Sequence, residues 1–413
     1  MKIIVISLNY YPEEVGCGKF TKEFVDWVSK KAKKVIVVTT NPFYPEWECK
    51  SNRYKKSLNG NILVIRCPIY VPKKINGIKR IIHYLSFFIT SMPIIIYFAF
   101  EDIDFAFNMC PTILSSPNVI LMKFLRKLIF RKKLVTLIHY ADLEIEAAYR
   151  LNYLKNKFLK KILLFFEKEI LRNFDLITSV SLYMMEKIKL KTSKNKKIFH
   201  FPDYIDTKKF NNLYSNKKIN PYAKELAFKG DKFVIMYSGS INEKMACQTL
   251  INSIKNLSYR KDLIWIICGD GPKRIFLERN LKDFEHVLFY DFQPFNMVPY
   301  WLDVGDIHLI PHKLSSVDFC LPSKLLGILA IGKPVIGIAP LNSELGSLLD
   351  KYGIRLDSED SKEMSNAIVK VIEDKKLRSS LSNKGKIYIE RFYEKETILN
   401  DFYEKVKSII SLG

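Results

Sequence analysis

Apolar positions along the chain follow two alternating rhythms. Short unbroken runs rich in Val and Ile recur at "KIIVISL" (residues 2–8), "KVIVVTT" (34–40), "NILVIRC" (61–67), "DFAFN" (104–108), "KLVTLIH" (133–139) and "DLITSVS" (175–181). Runs of this length predict strands buried on both faces. Between most of them lie "KFTKEFVDWVSKKA", "NVILMKFLRKL" and "FLKKILLFFEKEIL", whose apolar residues return every three or four positions. That spacing predicts amphipathic helices. Strand alternating with helix is the pattern of a parallel, doubly wound sheet.

The rhythm breaks in "FHFPDYIDTKKFNNLYSNKKINPYAKEL", a polar stretch holding Pro202 and Pro221, which reads as an interdomain connection near residues 202–230. It then restarts with "KFVIMYSGS", "DLIWIICGDGP", "VLFYDF", "DIHLIPHK" and "PVIGIA". The expected fold class is therefore α/β, two Rossmann-like domains in series. Residues 1–205 form the first and 206–390 the second. A terminal helix over 391–413 is expected to pack back on the first. In such sheets ligands bind beyond the carboxyl ends of the strands, here in the cleft expected between the domains.

Charge adds a second asymmetry. Of the net +23, residues 1–205 carry +18 and residues 206–413 carry +5. A basic half suits an anionic partner such as a membrane surface, a nucleic acid or a phosphorylated substrate. A lysine-rich composition that makes every surface basic is the plainer explanation. The seven cysteines show no paired spacing, which predicts a reduced, cytoplasmic protein without a disulfide framework or zinc site. The opening "MKIIVISLNYYPEE" reads as a buried strand rather than a signal peptide. The longest apolar run, residues 81–100, is long enough to span a bilayer, yet it contains His83, Pro93 and several hydroxyls inside a βα pattern. It is read as a buried or surface-docked helix.

Candidate chemistry collects after the strands. Gly16 and Gly18, in "YYPEEVGCGKFT", open a helix after the first strand. They allow close approach of a phosphate or sugar, or form a simple turn. His139 and Asp142 follow "KLVTLI". They could bind sugar hydroxyls or move a proton, and Asp142 could equally be a helix N-cap. Glu144 and Glu146 read as solvated. Lys244, at a helix start after Gly239, is a reasonable diphosphate ligand or a surface lysine. In "VDFCLPSKLLGILAIGKPVI", Ser323 and Lys324 stand where a short helix begins, a place that suits an anion. No P-loop, full dinucleotide fingerprint or clustered metal-ligand set appears.

The pieces "YYPEEVGCGKFTKEF", "TTNPFYPEW", "HYADLEIEAA", "FPDYID", "YSGSINEK", "CGDGPKR", "DIHLIPHK" and "LPSKLLGILAIGKPVI" stand in order along nearly the whole chain. In them the sequence resembles a retaining family-4 glycosyltransferase of GT-B fold, most like the branch of colanic-acid and O-antigen exopolysaccharide clusters. The resemblance implies a hexosyltransferase-type enzyme. Its first domain would hold a lipid-linked or growing glycan acceptor, and its second a nucleotide-sugar. Lys244 matches the phosphate-binding lysine. Ser323, Lys324 and Leu325 match the segment that cradles the diphosphate. Gly16 and Gly18 match the glycine loop facing the donor. Asp142 matches an acidic position near the reacting sugar, and His139 is a looser match to an active-site histidine.

There is one departure. Gly327 stands where many relatives have a ribose-binding glutamate, and Phe319 where they have another. Asp318 is a candidate substitute, and Glu344 matches a later glutamate of the family. A site of this kind needs no metal or cofactor, because a helix end and lysines supply the electrostatic stabilisation of the leaving diphosphate. The expected setting is cytoplasmic, peripheral on the inner face of the cell membrane. Basic segments with interleaved large apolar residues, "MKFLRKLIFRKK" and "YLKNKFLKKILLFF", would meet anionic lipid there. The alternatives are a GT-B-fold sugar-nucleotide epimerase, a non-catalytic relative, or a basic nucleic-acid-binding protein. No nucleic-acid recognition module appears, so no nucleic acid partner is expected.

Overall fold

The computed structural model describes all residues except 14–15, 45, 74–76, 111–112, 132, 151–155, 194, 216–219, 224–229, 316–321 and 412–413. Two sheets organise it, each in its own unit: Met1–Pro202 with Leu399–Gly413, and Asp203–Ile398.

The first unit runs β1 (Lys2–Ser7), α1 (Cys17–Ser29), β2 (Lys34–Thr40), β3 (Lys55–Asn59), β4 (Ile62–Cys67), α2 (Gly77–Ala99), β5 (Phe105–Met109), α3 (Ser116–Phe130), β6 (Val135–Tyr140), α4 (Glu144–Arg150), α5 (Lys157–Asn173), β7 (Leu176–Ser179), α6 (Leu182–Lys191) and β8 (Lys197–His200). Its eight strands lie in the order β3-β4-β2-β1-β5-β6-β7-β8. All neighbours are parallel except β3 and β4. The Val/Ile runs take the central places because helices cover both faces of a parallel sheet. Ile3, Ile4, Val5 and Ile6 are wholly buried. The polar β3, "KKSLN", is exposed throughout and forms the edge, where lysines discourage further strand pairing.

The second unit runs α7 (Thr207–Ser215), β9 (Phe233–Ser238), α8 (Cys247–Asn256), β10 (Leu263–Cys268), α9 (Arg274–Leu281), β11 (Val287–Tyr290), α10 (Val298–Val304), β12 (Ile307–Ile310), α11 (Lys324–Ala330), β13 (Val335–Ile338), α12 (Glu344–Tyr352), β14 (Ile354–Leu356), α13 (Ser361–Glu373) and α14 (Lys375–Phe392); α15 (Lys395–Ser411) follows. Its six parallel strands lie in the order β11-β10-β9-β12-β13-β14. The winding direction reverses between β9 and β12. Carboxyl ends at such a reversal are where open α/β sheets place ligands. In the first unit the reversal lies between β1 and β5.

The polar stretch after Pro202 is not all loop, since residues 207–215 form α7. The second unit extends past 390 because Ile205 N–H bonds Tyr393 O at 2.9 Å and Lys395 N–H bonds Ile205 O at 3.0 Å. From Leu399 onward α15 belongs to the first unit. There Phe402 stacks on Phe201 at 4.1 Å and meets Phe24 edge-on at 5.6 Å.

Candidate functional site

In the second unit, β9 ends in Tyr237-Ser238 and the chain turns through Gly239, whose φ is 144°. The Lys324 Nζ, at the start of α11, lies 4.1 Å from the Tyr237 ring centre. A Cβ on Gly239 would come within 2.5 Å of that same Nζ. The bare glycine and the aromatic face therefore make the seat of the ammonium, a favourable cation–π placement. A Cβ on Gly269 would meet Gly239 O at 1.9 Å, so the loops after β9 and β10 touch backbone to backbone. Only glycine permits this approach.

Lys244 sits in the turn between β9 and α8. Its N–H bonds Asn242 Oδ1 at 2.9 Å, and its carbonyl accepts from Lys313 N at 2.8 Å, which joins the turn to the end of β12. An antiparallel bridge from Met245 to His312 reinforces the join. His312 is buried, and its Nδ1 has no partner. Burial first, then the positive charges of Lys324 and Lys244, push its pKa down to about 3. The ring is neutral at physiological pH and lies in the field of both lysines. Two ammonium groups about a neutral imidazole, at the reversal of the sheet, can take an anion of the size and charge of a diphosphate.

The helix-end reading narrows at α11. Ser323 is exposed and precedes the first helical residue, but its side chain makes no capping bond. Leu325 N–H is already given to Pro322 O at 3.0 Å, and Leu326 N–H to Ser323 O at 3.2 Å. Leu325 itself is core, 1% exposed. As an anion ligand Leu325 is thus displaced, and the groups left at this end are those of Ser323 and Lys324. A Cβ at Gly327 would meet Leu302 Cδ1 at 3.0 Å. The direction in which a ribose-binding glutamate would point is occupied by apolar packing. Asp318 and Phe319 lie outside the described residues. Glu344 opens α12, capped by the Ser343 hydroxyl, which accepts from Gly346 N at 3.0 Å. Its negative charge adds to burial in raising the Tyr388 and Tyr393 phenols, which places it toward α14.

In the first unit Gly16, with φ 58°, opens α1, and among the described residues beyond its chain neighbours nothing lies within 4 Å of where its Cβ would be. A Cβ on Gly18 would fall 2.4 Å from Glu13 O. Glu13 is a residue that sequence reading passed over. It is 4% exposed, and its Oε1 accepts from Phe43 N and Tyr44 N at 2.8 Å. Its Oε2 accepts from Asn9 Nδ2 at 3.0 Å and Tyr10 N at 3.2 Å. It ties the loop after β1 to the loop after β2, at the strand ends where ligands bind. Burial raises its pKa despite these bonds.

His139 is enclosed, stacked on Phe107 at 5.9 Å and bonded through Nδ1 to Thr178 Oγ1 at 2.9 Å. Burial lowers its pKa to about 3. This environment suits a neutral hydrogen-bonding ring and disfavours a proton carrier. Asp142 is half-buried two residues before α4, so Leu143 and not Asp142 immediately precedes the helix.

The solvated reading of Glu144 and Glu146 is corrected. The Glu144 carboxyl is enclosed, though the residue keeps some exposed surface, and it accepts from Ile113 N at 3.1 Å. Burial raises its pKa to about 8, with the Asp142 charge adding to the rise and Arg80 opposing it. Glu146 pairs with Lys191 at 2.5 Å, and Lys191 also pairs at 2.7 Å with Glu167, which is 2% exposed. Among the described residues no group of three His, Cys, Asp or Glu side chains is placed to hold a metal ion.

Two Rossmann-like units, each with polar groups after the central strands, define a GT-B-type transferase fold. Comparison with known proteins agrees. The model of the family "Glycosyl transferases group 1" matches residues 218–388. The putative colanic acid biosynthesis glycosyl transferase WcaI of Escherichia coli (strain K12) is 30% identical over 418 residues, spanning 98% of this chain and 100% of WcaI. Sucrose-phosphate synthase from Thermosynechococcus elongatus superposes with a TM-score of 0.73 at 14% identity, over 100% of both chains. HepE from Anabaena, solved with UDP-glucose, gives 0.68 at 14% identity over 99% of this chain and 100% of HepE. The chain belongs to the group 1 glycosyl transferases, and it is a glycosyltransferase.

Proposed function

We propose that the protein transfers a sugar from a nucleotide-sugar to a lipid-linked or growing glycan acceptor in bacterial surface polysaccharide synthesis, with retention of configuration. The observation that carries the donor reading is the pair Lys244 and Lys324 about His312, with the Lys324 ammonium seated over Tyr237 and Gly239. As the sugar leaves, charge grows on the diphosphate, and ammonium groups already in place stabilise it without reorganisation. On this reading the reaction uses no metal or cofactor. Ser323 supplies a hydroxyl beside the diphosphate. The loop of Gly16 and Gly18 approaches the donor, Asp142 acts near the reacting sugars, and His139 contributes a neutral hydrogen-bonding edge. Glu344 is retained as a ribose candidate because Gly327 offers no carboxylate. Relatives named for colanic acid synthesis and for a UDP-glucose complex support the class of reaction and of donor.

The acceptor's lipid anchor gives a reason for the basic first unit, which would dock peripherally on the anionic inner face of the cell membrane. The deciding experiment is a panel of nucleotide-sugars tested for hydrolysis and transfer with lipid extract as acceptor. One donor class should turn over, and Lys324→Ala should abolish most of that turnover. No binding of any nucleotide-sugar would overturn the reading.

A further inference from the structure

Helix α2 is built inside out. Its polar side chains face the protein: His83 Nδ1 lies 2.6 Å from Tyr70 O, the Ser86 hydroxyl accepts from Tyr70 N at 2.9 Å, Thr90 Oγ1 donates to Pro68 O at 2.8 Å, and Ser91 Oγ accepts from Asn118 Nδ2 at 2.9 Å. Its outer face is apolar along its length, with Ile78, Ile82, Leu85, Ile89, Pro93 and Tyr97 all exposed at three- and four-residue spacing. Ile78 is 73% and Ile89 62% exposed. A surface helix facing water has the opposite pattern. The stripe runs on past the helix end, where Phe100 meets Phe130 of α3 edge-on at 6.1 Å. On α3 the stripe continues in exposed Phe124 and Leu128. An apolar face of this extent marks an interaction surface.

The charges around the stripe select its occupant. Helix α2 has no acidic residue, and Lys79 stands at its start; Arg80 bonds Tyr84 Oη at 2.8 Å and is turned toward Glu144. Lys127, Arg131 and Lys133 are exposed beside Leu128. At the stripe's far end Asp102 pairs with Arg126 at 3.6 Å and Glu101 with Lys34 at 3.9 Å. Two copies of this chain meeting through the stripe would bring like-charged rims together, whereas anionic lipid headgroups attract them. Spanning is excluded by packing, since Phe87, Ile95 and Phe98 on the inner face are at most 2% exposed within the unit. A helix with one face in a protein core cannot be ringed by lipid. The 23-residue helix, about 34 Å long, has the geometry to lie in the plane of the interface.

We propose that the outer face of α2, continued by Phe124 and Leu128, inserts into the headgroup–acyl boundary of an anionic bilayer. This rests on the membrane docking proposed above and deepens it. Docking by charge alone is reversed by salt, and an inserted apolar face is not.

The test is co-sedimentation of the full chain with phosphatidylcholine vesicles, with and without phosphatidylglycerol, at low and high salt. Binding to the anionic vesicles should leave a remainder that survives high salt. Ile82→Ser with Ile89→Ser should cut that remainder by roughly tenfold or more, with donor hydrolysis in vesicle-free buffer unchanged. A second variant, Leu85→Trp, should show added fluorescence quenched by lipids brominated in the acyl chain. Binding wholly abolished by salt overturns the insertion while leaving charge docking and sugar transfer intact. A salt-resistant remainder unchanged in the double variant, or an unquenched Leu85→Trp signal, also overturns it. So does a wild-type dimer that the double variant converts to monomer without altered vesicle binding.

Discussion

The Nζ of Lys324 and the Cα of Gly239 share one space: a methyl group on the glycine would stand 2.5 Å from the ammonium. The lysine's position is thus set by an absence 85 residues earlier in the chain. Gly239→Ala should therefore act like loss of the lysine. Both Lys324→Ala and Lys244→Ala should raise the donor Kd by roughly tenfold to a hundredfold, since a lost bond to a charged group costs about 1.5–3 kcal/mol. Gly239→Ala should reach the same range through displacement of Lys324, aggravated by its φ of 144°. Titration calorimetry with the preferred nucleotide-sugar checks this. Unchanged affinity in both lysine variants would remove the diphosphate from this site.

His312 makes a different prediction, because it is neutral. Burial, with the charges of Lys324 and Lys244 adding to it, keeps the proton off. The donor KM should therefore show no step near the ordinary imidazole pKa of ~6.5. His312→Asn, neutral and able to hydrogen-bond, should keep most of the donor affinity. His312→Ala should lose more, because it removes a buried neutral ring that lies in the field of Lys244 and Lys324. A KM profile with a clear imidazole step, removed in His312→Asn, would show that the ring is charged in the working enzyme.

The strands were legible because Val/Ile runs bounded by turns leave few alternatives to a buried parallel sheet. Lys244 and Lys324 stand out in the sequence because both fall at helix starts that suit an anion, and their role toward a diphosphate is the proposal tested above. What stayed hidden depends on contacts far apart in the chain. His312 gains its meaning only beside Lys244 and Lys324, and Glu13 only when Phe43 and Tyr44 fold over it. In "HYADLEIEAA" the glutamates sit at spacings that suit a solvated helix face. Their burial comes from Ile113 over Glu144 and from Lys191 and Glu167 over Glu146. The long apolar run left a buried and a surface-docked helix both open, and only the fold shows the polar residues of α2 turned inward and its apolar ones outside.

Asp142 is separable from a cap. Helix α4 starts at Glu144, so Asp142 stands one residue outside the position that immediately precedes the helix. Asp142→Asn should cut turnover while leaving Tm nearly unchanged. Its charge also helps to raise the pKa of Glu144. The variant should lower any acidic-group pKa seen in the pH–rate profile that belongs to Glu144. Full activity in Asp142→Asn would remove Asp142 from the reacting centre.

Glu144 allows the sharpest test of the first unit. In the folded chain its pKa is raised from 4.5 to about 8, chiefly by burial, with the Asp142 charge adding to the rise. Between those two values the folded protein holds a proton that the unfolded chain has released. Stability from this group is therefore present in full below pH 4.5 and is lost as pH rises through about 8. Gln at this position carries no charge and can still accept the bond from Ile113 N. The wild-type Tm should fall relative to that of Glu144→Gln as pH rises across this window, and the variant should be the more stable at the alkaline end. Glu167, also raised by burial, titrates in both proteins, so the difference between the two curves reports Glu144 together with its coupling to Glu167. Parallel Tm curves would show that Glu144 ionises in the folded state as an exposed carboxylate does.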